Sequence, residues 1–325
     1  MVVTWRPGID ASTLRTRSRI YSIIRQFFDD RDVIEVTTPV LGARGVSDLH
    51  IESLTLHQGE QTFFLQSSPE YSMKRLLASG SGSIYQICPA FRAGEMGSRH
   101  NTEFAMLEWY RVGLSIDDLI MEVSNLVQSL VTAIHGKQIQ IEHYSYAELF
   151  IGRFGQNPHT ATLAELRQLI EQAGLASDHI DNIGDDATSN AYLDLLFSSS
   201  IEPELQNPAF VSDFPGSQAA LAKKAVNESG DEVARRFEFY WRGVELANGY
   251  DELTNAEELG SRFDENNISR TARGLPVVAS DEKLLASMSK LPDCAGVAVG
   301  LDRLVMLLCE KTSIDEVIAF SQQRL

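Results

Sequence analysis

The sequence predicts an α+β chain with a mainly antiparallel sheet flanked by helices, and three observations predict it. Segments with apolar residues at helical spacing occur along the chain, among short runs whose apolar and polar residues alternate. The strand-like runs are separated by long mixed segments, without the regular βαβ alternation of a parallel fold. Apolar residues make up 43% of the 325, enough to fill a large core.

Taken in order, residues 13–31 read as a helix, with Leu14, Ile20, Ile23, Ile24, Phe27 and Phe28 on one stripe. Residues 33–38 read as a strand that Pro39 stops, and 62–66 as another. Residues 69–79 form a helix with proline at an early position and Ser68 as N-cap. A strand at 83–88, a polar loop at 94–101 and a strand at 103–111 follow. Ser115 and Asp118 open a helix reaching about residue 133. Residues 143–200 look mainly helical, with a capping box at Thr162 and Glu165, and resemble an insertion in a core. Strands are expected at 210–214 and 235–247 and a helix at 256–273, stopped by Gly274 and Pro276. A strand at 295–299 runs into Gly300, which starts a helix to about residue 310. The length suits a single large catalytic domain spanning 1–325.

Composition narrows the function. With 28 basic against 45 acidic residues, the net charge is −17. Such a surface repels nucleic-acid phosphate unless a basic patch overrides it, and no run of Lys and Arg with interleaved aromatics is present. The cysteines, Cys88, Cys294 and Cys309, are odd in number and none forms a Cys-x-x-Cys pair. They read as buried free thiols. The N-terminus MVVTWRPGIDAS lacks the pattern of a secretory signal, and no run of about 18 uncharged apolar residues occurs. A soluble, cytoplasmic protein is expected.

Four segments carry chemistry. The first, Arg19 to Pro39, holds Glu35-Val36-Thr37-Thr38 and alone reads as structural. In the second, Phe91-Arg92-Ala93-Gly94-Glu95 leads to His100-Asn101-Thr102-Glu103-Phe104. A guanidinium at a strand end suits phosphate, though a lone one is more often a surface ion pair. The third runs Glu245-Leu246-Ala247-Asn248-Gly249-Tyr250-Asp251-Glu252. Its two glutamates bracket an expected Asn-Gly turn and suit one divalent cation, with a solvated acidic strand as the bland reading. In the fourth, an apolar strand meets Gly300 and a helix with Arg303 in its first turn, placed to reach a phosphate or stack on a base.

Together and in this order, the four segments resemble the class II aminoacyl-tRNA synthetase core, in its lysyl branch, from about residue 14 to the C-terminus. Too few residues precede the first helix for an anticodon-binding domain. That arrangement is similar to the elongation factor P lysine lysyltransferases, which are lysyl-synthetase paralogues. Ser68-Pro69-Glu70-Tyr71-Ser72-Met73-Lys74-Arg75-Leu76, Glu108-Trp109-Tyr110, Phe214-Pro215-Gly216-Ser217-Gln218, Pro292-Asp293-Cys294 and Ala298, where lysyl-tRNA synthetases carry Gly, agree with it. Two residues depart from the pattern: Gly94 stands where Arg-x-Glu has its acid, and Thr102 replaces a usual Pro.

The resemblance implies ATP-dependent activation of lysine, with (R)-β-lysine the isomer, and transfer to a lysine ε-amine of elongation factor P. It implies that Arg92 binds the α-phosphate, Arg303 the outer phosphates, and Glu245 and Glu252 a Mg²⁺ ion. Glu95, His100, Asn101, Leu246 and Gly300 would line ATP. Ser68, Pro69, Glu70, Glu108, Tyr110, Asn248, Glu252 and Ala298 would line the amino acid. A homodimer with the first helix at its interface is implied as well. His100 is also a candidate base for the transfer step, or a structural residue. Two other readings stand beside this one: a truncated synthetase with another acceptor, and an inactive paralogue serving as a regulatory subunit.

Overall fold

The computed structural model describes residues 5–175 and 189–325. Along the chain run α1 (Ala11–Asp29), β1 (Ile34–Glu35), β2 (Leu41–Gly42), β3 (Thr55–Gln58), β4 (Gln61–Leu65), α2 (Glu70–Ala78), β5 (Ile84–Phe91), β6 (Glu103–Val112) and α3 (Ile116–His135). Then come β7 (Glu142–Ser145), α4 (Tyr146–Phe154), α5 (Leu163–Gln172), α6 (Ser189–Ser200), β8 (Ala209–Pro215), β9 (Lys224–Val226), β10 (Glu232–Tyr240) and β11 (Glu245–Asp251). They are followed by α7 (Ala256–Ala272), α8 (Glu282–Met288), β12 (Cys294–Gly300) and α9 (Leu301–Leu308). The elements fall into two compact units, residues 1–138 with 254–325, and residues 139–253. No helix among the described residues is long and apolar enough to cross a membrane.

In the first unit the strands lie in the order β1-β5-β6-β12, antiparallel except for β1 on β5. Helix α1 starts where Asp10 accepts the Thr13 N–H at 2.7 Å. Its buried stripe is Ile20, Ile24, Phe27 and Phe28, whereas Leu14, expected on that stripe, is exposed. Phe28 stacks on Tyr85 of β5 at 4.3 Å and meets Trp109 of β6 edge-on at 5.2 Å. Trp109 donates to Glu122 of α3, so α1 and α3 share one face of this sheet. Side chains alternate along a strand, so the next residues over, Gln86 and Glu108, face the other way. Helix α3 carries the expected capping box of Ser115 and Asp118 and ends at Gly136 in the left-handed region.

Two expectations here change. The strand read at 33–38 pairs only through Ile34 and Glu35, before the chain reaches Pro39, which has no N–H to donate. Ser68 is not the formal cap of α2, since Pro69 holds that position, but its Oγ still accepts the Glu70 N–H at 3.0 Å. The thiols are free, and Cys309 is only half-buried, unlike Cys88 and Cys294.

In the second unit the order is β11-β10-β8-β7, with β9 on the other part of β10. An aromatic core of Tyr146, Phe150, Tyr192, Phe197, Phe214 and Tyr240 packs against it. The stretch read as helical from 143 to 200 opens on β7, which pairs parallel with β8; Ser145 then caps α4 through Glu148. Residues 176–188 of that stretch lie outside the described residues. The strand read at 235–247 is two strands. Arg242 and Gly243, both at positive φ (53° and 62°), make a two-residue hairpin turn between them. The Asn-Gly turn expected at Asn248-Gly249 is not a turn: both residues sit in β11, paired with Glu238 and Phe237.

Candidate active site

On the face of the first sheet turned away from α1, cross-strand register sets Gln86, Glu108 and Ala298 in one row, beside Ile84, Tyr110 and Gly296 in the next. Glu108 is 2% exposed. Its two oxygens accept the Ser68 hydroxyl at 2.8 Å and the Tyr110 hydroxyl at 2.7 Å. Ser68 turns its lone pair to the Glu70 N–H, which ties the strand to the start of α2. Glu70 in turn lies 2.6 Å from the ammonium of Lys74, one turn along the same helix and also only 2% exposed. Burial, then the Glu108 charge, push the Cys88 thiol up to about 12. Ser68, Pro69, Glu70, Glu108, Tyr110 and Ala298, singled out from the sequence, therefore lie at or beside one enclosed carboxylate cluster.

Lys74 lies within the 68–76 stretch that carries the resemblance and has no role in the site from sequence alone; Glu and Lys four apart on a helix are neighbours on its surface whether or not that surface is buried. Its place between Met73 and Leu77, both buried, was the signal that it points inward.

Strands β5 and β6 are joined by the 92–102 loop. It closes where the Arg92 N–H meets the Thr102 carbonyl at 3.0 Å and Gly97 bridges His100. Arg92 stands over the Phe104 ring at 5.1 Å and reaches Glu95 at 3.5 Å. Its Nε is buried without a hydrogen-bond partner among the described residues. Gly94 sits at φ +75°, so an acid there would strain the backbone. The acid that reaches the arginine is Glu95, one residue on.

Arg303, in the first turn of α9, donates to the Arg99 carbonyl at 3.1 Å and lies 2.6 Å from His100 Nε2. A guanidinium only donates, so His100 accepts as a neutral ring. Burial, then the Arg303 charge, lower its pKa below the ordinary histidine value, although part of the ring meets solvent. A Cβ on Gly300 would touch only the Arg303 side chain, at 3.6 Å, so no neighbouring protein atom demands glycine there.

Asn101 donates to the Glu103 carbonyl at 2.6 Å and accepts the Gln322 N–H at 3.0 Å. Thr102 also bonds the Gln322 side chain. Both ends of the Asn101 carboxamide are thus used within the protein, pinning the loop to the C-terminal segment. A cavity of about 270 Å³ opens there, between His100 and Asn101 on one side and Asp315 and Gln322 on the other. Asp302, beside Arg303, accepts the Ala105 N–H at 2.7 Å and pairs with Arg17 of α1 at 2.6 Å.

The remaining candidates, Glu245, Leu246, Asn248 and Glu252, belong to the second unit. Glu245 and Glu252 are seven apart, and plain alternation would send them to opposite faces. A β-bulge prevents this. Pairing runs Glu238 to Asn248 and Phe239 to Ala247, then skips Leu246 to join Tyr240 to Glu245. The extra residue brings Glu245 onto the face of Asn248 and Tyr250, and alternation carries that face to Glu252, buried just past the strand end. Behind them Arg236 donates to Asn248 at 3.2 Å and pairs with Glu238, which also accepts the Tyr240 hydroxyl. Glu238 is raised by burial, against the pull of Arg236. Among the described residues no group of three His, Cys, Asp or Glu is arranged as a metal cage. Two carboxylates on one face are instead what Mg²⁺ uses together with phosphate oxygens.

The family model for class II tRNA synthetases (D, K and N) matches residues 3–324, and the chain belongs to that family. Several of its relatives carry a more particular name. Proteins named elongation factor P–(R)-beta-lysine ligase from Mannheimia succiniciproducens and Pseudoalteromonas translucida are each 42% identical, over 97% and 98% of both chains. One of the same name from Vibrio atlanticus is 43% identical over 98% of both.

Proposed function

We propose that the chain is an ATP-dependent ligase that activates (R)-β-lysine as an adenylate and transfers it to a lysine ε-amine of elongation factor P. The observation that carries the amino-acid reading is the enclosed carboxylate Glu108, held by Ser68 and Tyr110 beside Glu70. A buried carboxylate selects an ammonium and rejects a neutral side chain that would leave it unpaired. The names of the full-length relatives supply the acceptor and the isomer.

Activation joins the amino-acid carboxylate to the α-phosphate of ATP and releases pyrophosphate. Two anions must approach, so the protein's work is to offset charge and align groups. Arg92, with its unpartnered Nε, suits the α-phosphate. Arg303, oriented by the Arg99 carbonyl and neutral His100, suits the outer phosphates. Glu245 and Glu252 would hold Mg²⁺, which lends phosphate oxygens a compensating positive charge. Glu95 and the backbone near Asn101, Leu246 and Gly300 would line the nucleotide. Asn248 would orient the substrate from the shelf of Arg236.

In the transfer step the acceptor amine, whose ordinary pKa is about 10.4, sheds a proton and attacks the activated carbonyl, expelling AMP. A net charge of −17 disfavours tRNA as the competing acceptor. The decisive experiment is the intact mass of elongation factor P after incubation with the protein, Mg-ATP and either lysine isomer, with total tRNA alongside. One added lysyl unit on the factor, larger with β-lysine, and uncharged tRNA is the expected result. Lysine-dependent ATP consumption with an unmodified factor would move the acceptor elsewhere.

A further inference from the structure

Gln86 lies in the middle of β5, 2% exposed, directly across from Glu108, which is itself across from Ala298. Its carboxamide reaches the Cys88 thiol, two residues along on the same face. Its Oε1 is buried and has no hydrogen-bond partner among the described residues. An acceptor left this way destabilises a fold, and cores seldom keep one without a use. The row it belongs to offers no donor: Glu108 presents accepting oxygens already facing two hydroxyls, and Ala298 is apolar. What the row lacks is N–H groups.

We infer that Gln86 is a specificity-determining residue of the amino-acid pocket, its carboxamide oxygen taking one N–H of the substrate ammonium that Glu108 holds by charge. The inference rests on the proposed lysine activation. An ammonium has three donors, and one carboxylate edge leaves some of them without acceptors. A neutral carboxamide beside the carboxylate adds an acceptor without adding charge. Glu70, Lys74 and Glu108 together carry one net negative charge, which a single ammonium balances. A second carboxylate at position 86 would leave the pair over-charged. Enclosure serves the same end, because an ammonium that must shed water to enter needs every lost hydrogen bond replaced.

The test uses the full chain and compares Gln86→Met, of similar length but without the acceptor, and Gln86→Glu with the parent protein. Amino-acid-dependent exchange of pyrophosphate into ATP is measured, varying each lysine isomer and then ATP. Melting temperature is recorded without substrate. Gln86→Met is expected to raise the KM for the amino acid about tenfold or more, with the KM for ATP unchanged. Its melting temperature should hold or rise, because the orphaned oxygen is gone. Gln86→Glu, which keeps an acceptor but adds the charge that the cluster does not balance, should recover only part of the amino-acid KM. An unchanged amino-acid KM in Gln86→Met would overturn the assignment, since the oxygen's partner would then be an internal water. So would a lowered melting temperature with both KM values moving together, the mark of a packing role. Absence of lysine-dependent exchange in the parent protein is a different failure, which sinks the functional reading and Gln86 with it.

Discussion

Glu108 shows how a few atoms set the chemistry of the pocket. Two hydroxyls donate to it, from the same strand and from the start of a helix, and the residue is 2% exposed. Glu108→Gln removes the charge and leaves both hydroxyls facing an amide. The expected result is a KM for lysine about a hundredfold higher with little change in that for ATP, read by the exchange assay. His100 makes a second prediction, on pH. Its folded pKa is depressed, so the neutral ring that accepts from Arg303 is fully in place above the ordinary histidine pKa, about 6.5. That contact is lost as pH falls through the lowered value. Exchange activity should therefore drop on the acid side, and His100→Gln, which cannot titrate, should flatten that limb in a profile from about pH 5 to 8.

Elements matter through what they tie together. Asp302 in α9 binds the backbone of β6 and the guanidinium of Arg17 in α1, joining three segments far apart in sequence. It is 3% exposed, so Asp302→Ala leaves the Ala105 N–H without its acceptor and takes the carboxylate from Arg17, which keeps only the Tyr21 hydroxyl and the Val317 carbonyl. A loss of about 2–3 kcal/mol in urea unfolding is expected. Much at this scale was legible beforehand. The stripe of α1, the capping boxes at Ser115 and Thr162, and the strand-to-helix passage at Gly300 follow from spacing and end-group chemistry. What was not legible depends on partners far along the chain. Leu14 fits the helical period and still faces solvent, because period fixes a face but not how far the packing extends. The two-residue turn at Arg242 and Gly243 hid because only one of its residues is a glycine. β7 hid because four polar-rich residues followed at once by a helix cap carry almost no strand signal.

At the scale of the whole molecule, the order of the four segments was enough to suggest the family, which the match over residues 3–324 bears out. Side-chain placement was less accessible: Lys74 and Gln86 look like ordinary helix and strand residues until the register of β5, β6 and α2 is known. Association of two copies is a prediction at this level. Apolar side chains are left exposed along the first segments, with Ile34 at 54%, Leu14 at 51% and Leu41 at 44%. Such residues on a chain this acidic suit burial against a second copy related by a twofold axis. Light scattering at micromolar concentration should give twice the 36.1 kDa chain mass. A mass of one chain would count against it.

The bulge at Leu246 carries a consequence for how this protein can vary. Whether Glu245 and Glu252 look the same way depends on a count, not on any one side chain. Leu246 is 2% exposed, so its replacements are limited to apolar side chains of similar size, and any of these preserves that count. Removing it, or adding a neighbour, would reverse the parity of the strand and turn one glutamate away from the other. The strand's length is therefore fixed by parity, while its buried positions are fixed by packing. In related chains that keep both acids, apolar exchanges should occur at this position while insertions and deletions do not.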